Sequence, residues 1–263
     1  MSPPDRPKGE YRSAQHGGCL MSTATRFDRL DALRAVAMLW MAAFHFSFDL
    51  NLYGLWQPHQ QFTRDAFWTV QRSCIVSLFL LCAGLGQAVA LDALQRWPRF
   101  WRRWAQVAGC ALLVSLASAQ MFPDTWIRFG VLHGVAVMLV LARLLAPLRL
   151  GLGLWPLGAL AFALPQFVKL ALFDTPWLNW VGLVTRPPFT EDWVPVLPWL
   201  GMVLWGLAAG QWLLKHHRAV LAGPVPGALR PLAALGRWSL SFYMLHQPVL
   251  IGALLGGRAL HWW

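Results

Sequence analysis

Long apolar runs alternate with short stretches that hold Arg, Lys, Pro and Gly along most of this chain. Seven runs approach the ~20 residues that a helix needs to cross a hydrocarbon core. They lie at about 33–55, 73–91, 105–121, 129–148, 150–172, 196–214 and 238–256. The third is the shortest and is bounded by Pro123. The pattern predicts an all-α fold, a polytopic membrane helix bundle of about seven transmembrane helices. Residues 1–25 are polar and rich in Pro, Gly, Ser and basic side chains, too poor in apolar surface to fold, and read as a disordered cytoplasmic tail. Met21 is a plausible alternative start within it. The first apolar run begins late and is too long for a cleaved leader, so it reads as an uncleaved anchor. Residues 26–263 then form one transmembrane domain.

Composition agrees with the pattern: 57% of residues are hydrophobic and 13% charged, against about 25% charged in soluble domains. The net charge of +11 does not imply nucleic acid, because the basic residues fall between apolar runs and not on one soluble face. With the N-terminus cytoplasmic, sixteen of the 22 basic residues lie on the inner side, which favours that orientation and an odd number of spans. Seventeen tryptophans, many near the ends of runs, fit belts in contact with membrane lipids. Composition and short loops suggest a multi-pass protein of a bacterial inner membrane. Cys19, Cys74, Cys82 and Cys110 are isolated from one another, with neither a disulfide framework nor zinc spacing. No metal-ligand spacing and no Walker loop is present, so neither metal nor ATP chemistry is expected. Gly206 and Gly210, with Gly84 and Gly86, predict close helix packing. A homo-oligomer remains open.

The first run carries His45 and Asp49, four residues apart and so on one helical face. A central Asp opposes insertion by roughly 2.5–3.5 kcal/mol, so an interaction must offset it. The bland reading is a structural pair satisfied by neighbouring helices. In the functional one, Asp49 orients and stabilises the imidazole and His45 is a general base. His133 opens the fourth run as either an interfacial or a site histidine. His246 lies beside Gln247 and Pro248 in the last run, where it either satisfies carbonyls freed by the proline or serves catalysis. Arg29, Asp31 and Arg34 sit at the inner mouth of the first run, as a topology anchor or as a cradle for an anionic substrate. Arg102 and Arg103, with Arg99, share a helical face suited to lipid headgroups or a nucleotide phosphate. His59, in the first outer loop, is a weaker candidate. The outer loop near 174–195 is acidic and tryptophan-rich, with Asp174, Trp177, Trp180, Glu191, Asp192 and Trp193.

The ordered set of Arg29-Leu30-Asp31-Ala32-Leu33-Arg34, Phe44-His45-Phe46-Ser47-Phe48-Asp49, Phe129-Gly130-Val131-Leu132-His133, Leu197-Pro198-Trp199-Leu200-Gly201 and Leu235-Gly236-Arg237-Trp238-Ser239-Leu240 resembles the bacterial relatives of heparan-α-glucosaminide N-acetyltransferase. The likeness runs on through Tyr243, Leu245, His246 and Pro248 and covers the chain from about residue 26 onward. It departs at Ala35, where the family usually has glycine, and in having only His59 in the loop where the lysosomal enzyme's catalytic histidine belongs. The resemblance implies acetyl transfer from cytoplasmic acetyl-CoA, as co-substrate, to an amine or hydroxyl of a sugar or glycan acceptor on the periplasmic side. It would place CoA phosphates on Arg29 and Arg34, with Arg102 and Arg103, and the acetyl group near His45 and Asp49, with His133 and His246 polarising the thioester or orienting the acceptor. The alternative is a small proton-coupled transporter or permease using the same buried groups, although no internal repeat supports it. An O-acyltransferase of envelope polysaccharide or lipid differs in acceptor alone.

Overall fold

The structure, a computed structural model, describes residues 27–148 and 150–261. The tail and Met21 lie outside the described residues. Nine helices form among those described: α1 (Asp28–Leu52), α2 (Ala66–Asp92), α3 (Trp97–Met121), α4 (Val131–Leu145), α5 (Leu154–Phe167), α6 (Val196–His216), α7 (Arg218–Ala222), α8 (Arg230–Arg237) and α9 (Ser239–Ala259). Six of these segments are long and apolar enough to cross a membrane, with α4 extended to Leu148 by a 3-10 turn.

The helices outrun the apolar stretches because the polar residues at their ends are helical too. α3 begins at Trp97, not near 105, and so takes in the whole basic-aromatic segment. Pro98 stands in its first turn, where a missing N–H costs nothing. The fifth run behaves oppositely: α5 stops at Phe167, and Val168 turns extended so that Leu170 N–H reaches the Leu183 carbonyl. At 1.5 Å per residue α5 is about 21 Å long, lengthened by the 3-10 turn Gly151–Gly153 that precedes it.

Contacts between loops sort the helix ends onto two faces. On the basic face, Arg237 pairs with Asp28 (3.0 Å), Arg218 with Asp92 (2.9 Å), and Arg29 reaches carbonyls of residues 219–224. On the opposite face, Glu191 N–H donates to Thr125 O (2.9 Å), Val194 N–H to Phe129 O (3.1 Å), and Thr190 Oγ1 to Trp126 O (2.7 Å). The α3–α4 and α5–α6 connections therefore share a face, so α5 returns the chain across the bundle. The chain makes seven traverses, six by long helices and one by α5.

α2 and α6 form the centre. A Cβ at Gly84 would overlap the Val203 carbonyl oxygen, and one at Gly206 the Leu81 carbonyl oxygen. Backbone thus meets backbone, with Leu80, Val203, Leu204 and Leu207 at most 1% exposed around the contact. α4 packs on this pair through Val135, Ala136 and Met138. α5 meets α6 where Gly158 lies against Trp205 and Gly201 against Phe162. α8 is pressed onto α1 at Gly236, whose missing side chain leaves room for the Asp31 carbonyl. The regular part of α6 starts at Pro198, because Leu197 holds extended angles (φ −100°, ψ 131°), as a residue preceding proline prefers.

Gly206→Val is expected to destabilise the fold by about 1–3 kcal/mol or more, since the added side chain meets backbone on a facing helix. Gly109→Val, where nothing lies within 4 Å, should leave the thermal unfolding midpoint in detergent nearly unchanged. Equal midpoints for the two variants would contradict the packing described.

Candidate functional site

Helices α1 and α9 bring together residues separated by almost the whole chain. The rings of His45 and His246 lie with centroids 5.2 Å apart at 55°. Asp49, 1% exposed, accepts from Gln247 Nε2 at 2.9 Å on one oxygen and 3.1 Å on the other. Asp49 therefore holds Gln247, not the His45 imidazole that the i, i+4 spacing pointed to. His45 is seven residues from the end of α1 at Leu52, about 10 Å along the axis. His246 in turn is seven residues from the start of α9 at Ser239, again about 10 Å, so the pair sits between the two faces of the bundle. Phe44 meets His45 edge-on (5.9 Å), and Phe242 stacks on His246 (6.2 Å, 4°).

Hydrogen bonds assign the histidine tautomers. His246 Nδ1 lies 2.6 Å from the Tyr243 carbonyl oxygen, and a carbonyl can only accept, so Nδ1 carries the proton. In the neutral ring Nε2 then keeps its lone pair, and this atom is buried without a hydrogen-bond partner. Gln247 Oε1 beside it is likewise buried and unpartnered. His133 has the opposite arrangement. Its Nδ1 accepts from Gly130 N–H (3.2 Å), so Nε2 donates to Ser115 Oγ (3.1 Å), whose hydroxyl donates to Ile127 O (2.7 Å). Both nitrogens of His133 are thereby used in fastening the start of α4 to α3. His59 is held 2.6 Å from Asn51 Oδ1 near the end of α1.

The arginines at the basic face divide into engaged and open groups. Arg29 donates to the carbonyls of Ala219, Val220 and Pro224, at 3.1–3.3 Å, and so ties α1 to the α7 segment. Arg34 pairs with Asp31 (2.8 Å) and lies in the space left by Gly86 of α2. Arg102 and Arg103 are exposed on α3 with no carboxylate partner among the described residues, and Arg103 donates to Gln106 (3.2 Å). Arg143, 6% exposed, donates to Gln95 O and packs over Trp97 and Phe100. Its place in the sequence marked it as a charge at the end of a span and nothing more.

One residue stands out that the sequence placed merely in an acidic loop. Asp192 Oδ2 accepts from Val131 N–H (2.8 Å), capping α4. Gly130 makes room for it, since a Cβ there would collide with that carboxylate. Burial pushes the Asp192 carboxyl up to about 6, against the opposing pull of the Val131 N–H and of Arg72. Asp174, partly exposed, is moved the other way by the Thr185 hydroxyl and nearby backbone N–H groups.

A seven-traverse helical bundle with a half-buried histidine pair where α1 meets α9 defines a polytopic membrane protein with a candidate catalytic site. Residues 26–248 match the family described as heparan-alpha-glucosaminide N-acetyltransferase, catalytic, and the chain belongs to that family of membrane acetyltransferases. No curated protein and no solved structure gives a significant match to the chain.

Because the folded chain raises the Asp192 carboxyl from 3.8 to about 6, it favours the protonated form. That stabilisation is complete below the unfolded value and is lost as pH rises through the folded one. The melting temperature of the wild type relative to Asp192→Asn should therefore fall between about pH 4 and pH 6 and then level off. A flat difference across that window would show that the carboxyl titrates normally.

Proposed function

We propose that this chain is a membrane acetyltransferase that moves an acetyl group from cytoplasmic acetyl-CoA to an amine or hydroxyl of a sugar or glycan on the periplasmic side of a bacterial inner membrane. The observation that carries the reading is the His246 Nε2 lone pair, buried and unpartnered among the described residues, on a ring 5.2 Å from that of His45 within a chain of the acetyltransferase family. A neutral imidazole fixed in one tautomer by a backbone carbonyl suits a general base.

In this reading His246 Nε2 takes the proton from the acceptor N–H or O–H as that atom attacks the thioester carbonyl. The new bond to the acyl carbon forms, the C–S bond breaks, and the sulfur recovers the proton so that CoA leaves as the thiol. His45, on the facing helix, lies close enough to bind the acyl group or its acceptor. It also offers a second route, through an acyl-imidazole that the acceptor then opens. Asp49 fixes the Gln247 amide, whose free Oε1 can orient an acceptor hydroxyl or amine. At the basic face Arg102 and Arg103, with Arg99, have the guanidinium groups open to CoA phosphates. Arg29 and Arg34 support that mouth through the internal bonds described above.

The test measures CoA release from acetyl-CoA by the full chain in detergent, with glucosamine-type and hydroxyl acceptors. His246→Ala should lower kcat by about 100-fold or more while acetyl-CoA binding persists, and His45→Ala should also cost activity. Wild-type turnover by the His246 variant would remove it as the base. Folded wild-type protein that binds no CoA but carries a proton-coupled flux in vesicles would establish the transporter instead.

A further inference from the structure

The segment from Glu191 to Val194 turns into the bundle, from an exposed Glu191 through half-buried Asp192 and Trp193 to a buried Val194. Trp193 forms a parallel bridge with Phe129, and the Val194 carbonyl presses on Gly134, inside the first turn of α4. This carries Asp192 to the first residue of α4, Val131. There its charge bears on Tyr243 of α9 and is opposed by that of Arg72 of α2. Tyr243 is the residue whose carbonyl fixes the His246 tautomer, and the two rings stand 5.7 Å apart. Tyr243 is thus linked to Asp192 through charge and to His246 through ring contact.

Capping alone does not explain a carboxylate at this position. Asn, Ser and Asp serve a helix N-terminus about equally well, yet only Asp brings a charge that must be desolvated on folding. A group kept at such a cost, at the start of α4 and within electrostatic reach of Arg72 and Tyr243, fits the recognition of a hydrogen-bond donor. Acceptors of acyl transfer are donors of that kind, because the hydroxyl or amine must present its N–H or O–H before losing it.

We propose that Asp192 is an acceptor-binding residue, whose carboxylate accepts a hydrogen bond from an acceptor hydroxyl or amine and holds it beside Tyr243 and His246. The inference rests on the acetyltransferase reading above.

The experiment compares wild type, Asp192→Asn and Asp192→Ala in steady-state CoA release, varying acceptor and acetyl-CoA separately and recording the melting temperature of each. Asn keeps an oxygen for the Val131 N–H, so a purely capping role predicts wild-type kinetics for it and a lowered melting temperature for Ala. Acceptor binding predicts that Asn retains its fold yet raises the acceptor KM about tenfold or more, with the acetyl-CoA KM unchanged. Should the Asn protein fail to fold, Asp192→Ser retains a capping oxygen and carries the same expectation. An unchanged acceptor KM in an active Asn or Ser variant overturns the role of Asp192 and leaves the acetyltransferase intact. Folded wild type that releases no CoA with any acceptor overturns the acetyltransferase reading, and this inference with it.

Discussion

The rest of the bundle is built on the contact of α2 with α6. Lipid tails are as apolar as leucine, so helices in a membrane gain little from hydrophobic sequestration and associate through close packing. Gly84 and Gly206 let the two backbones touch at the Val203 and Leu81 carbonyls, where any side chain would hold them apart. α4 and α5 then pack on this pair, and α1 against α2. The connection after α5 consequently meets the α3–α4 connection, which is how Asp192 reaches the start of α4.

Polar groups within the bundle follow a second rule: most are tied to protein because no water competes for them in hydrocarbon. Asp49 is tied to Gln247, His133 to Gly130 and Ser115, and Trp104 Nε1 to the Ala136 carbonyl. Among the described residues five buried atoms lack a partner: Gln87 Oε1, Arg143 Nη1, Trp193 Nε1, His246 Nε2 and Gln247 Oε1, the last two on consecutive residues of α9. Buried orphans of this sort need an explanation, and for His246 and Gln247 the proposed function offers one.

Much of the scaffold was legible in the sequence, because a traverse needs a run of apolar residues and such runs are unmistakable. The helix ends were less so: Trp97–Arg103 is too polar to count as membrane span yet continues α3 without a break. α7 and α8 have no long run to announce them, and α8 is recognisable mainly in hindsight from Pro231 in its first turn. His45 and Asp49 were visible as ionisable groups in apolar surroundings. Their partners were not, since nothing local to Asp49 points to Gln247. The same holds for Asp192, indistinguishable from Glu191 until the fold carries one of them inward. Arginines misled in the other direction. Arg29 looked available for a phosphate, but its guanidinium is occupied by carbonyls some 190 residues further on.

The bond between Asp49 and Gln247 also bears on how the protein is made. The two residues are 198 positions apart, so α1 enters the bilayer long before α9 exists. At translation speeds of 5–20 residues per second, that interval lasts roughly 10–40 s. During it, the carboxyl of Asp49 must be accommodated by water, headgroups or the insertion machinery, a demand eased by its place near the end of α1. The arrival of the last helix closes the bond. Assembly of the histidine pair is therefore among the final events in biogenesis, and a chain cut short before α9 would carry His45 and Asp49 without the partners that make them a site.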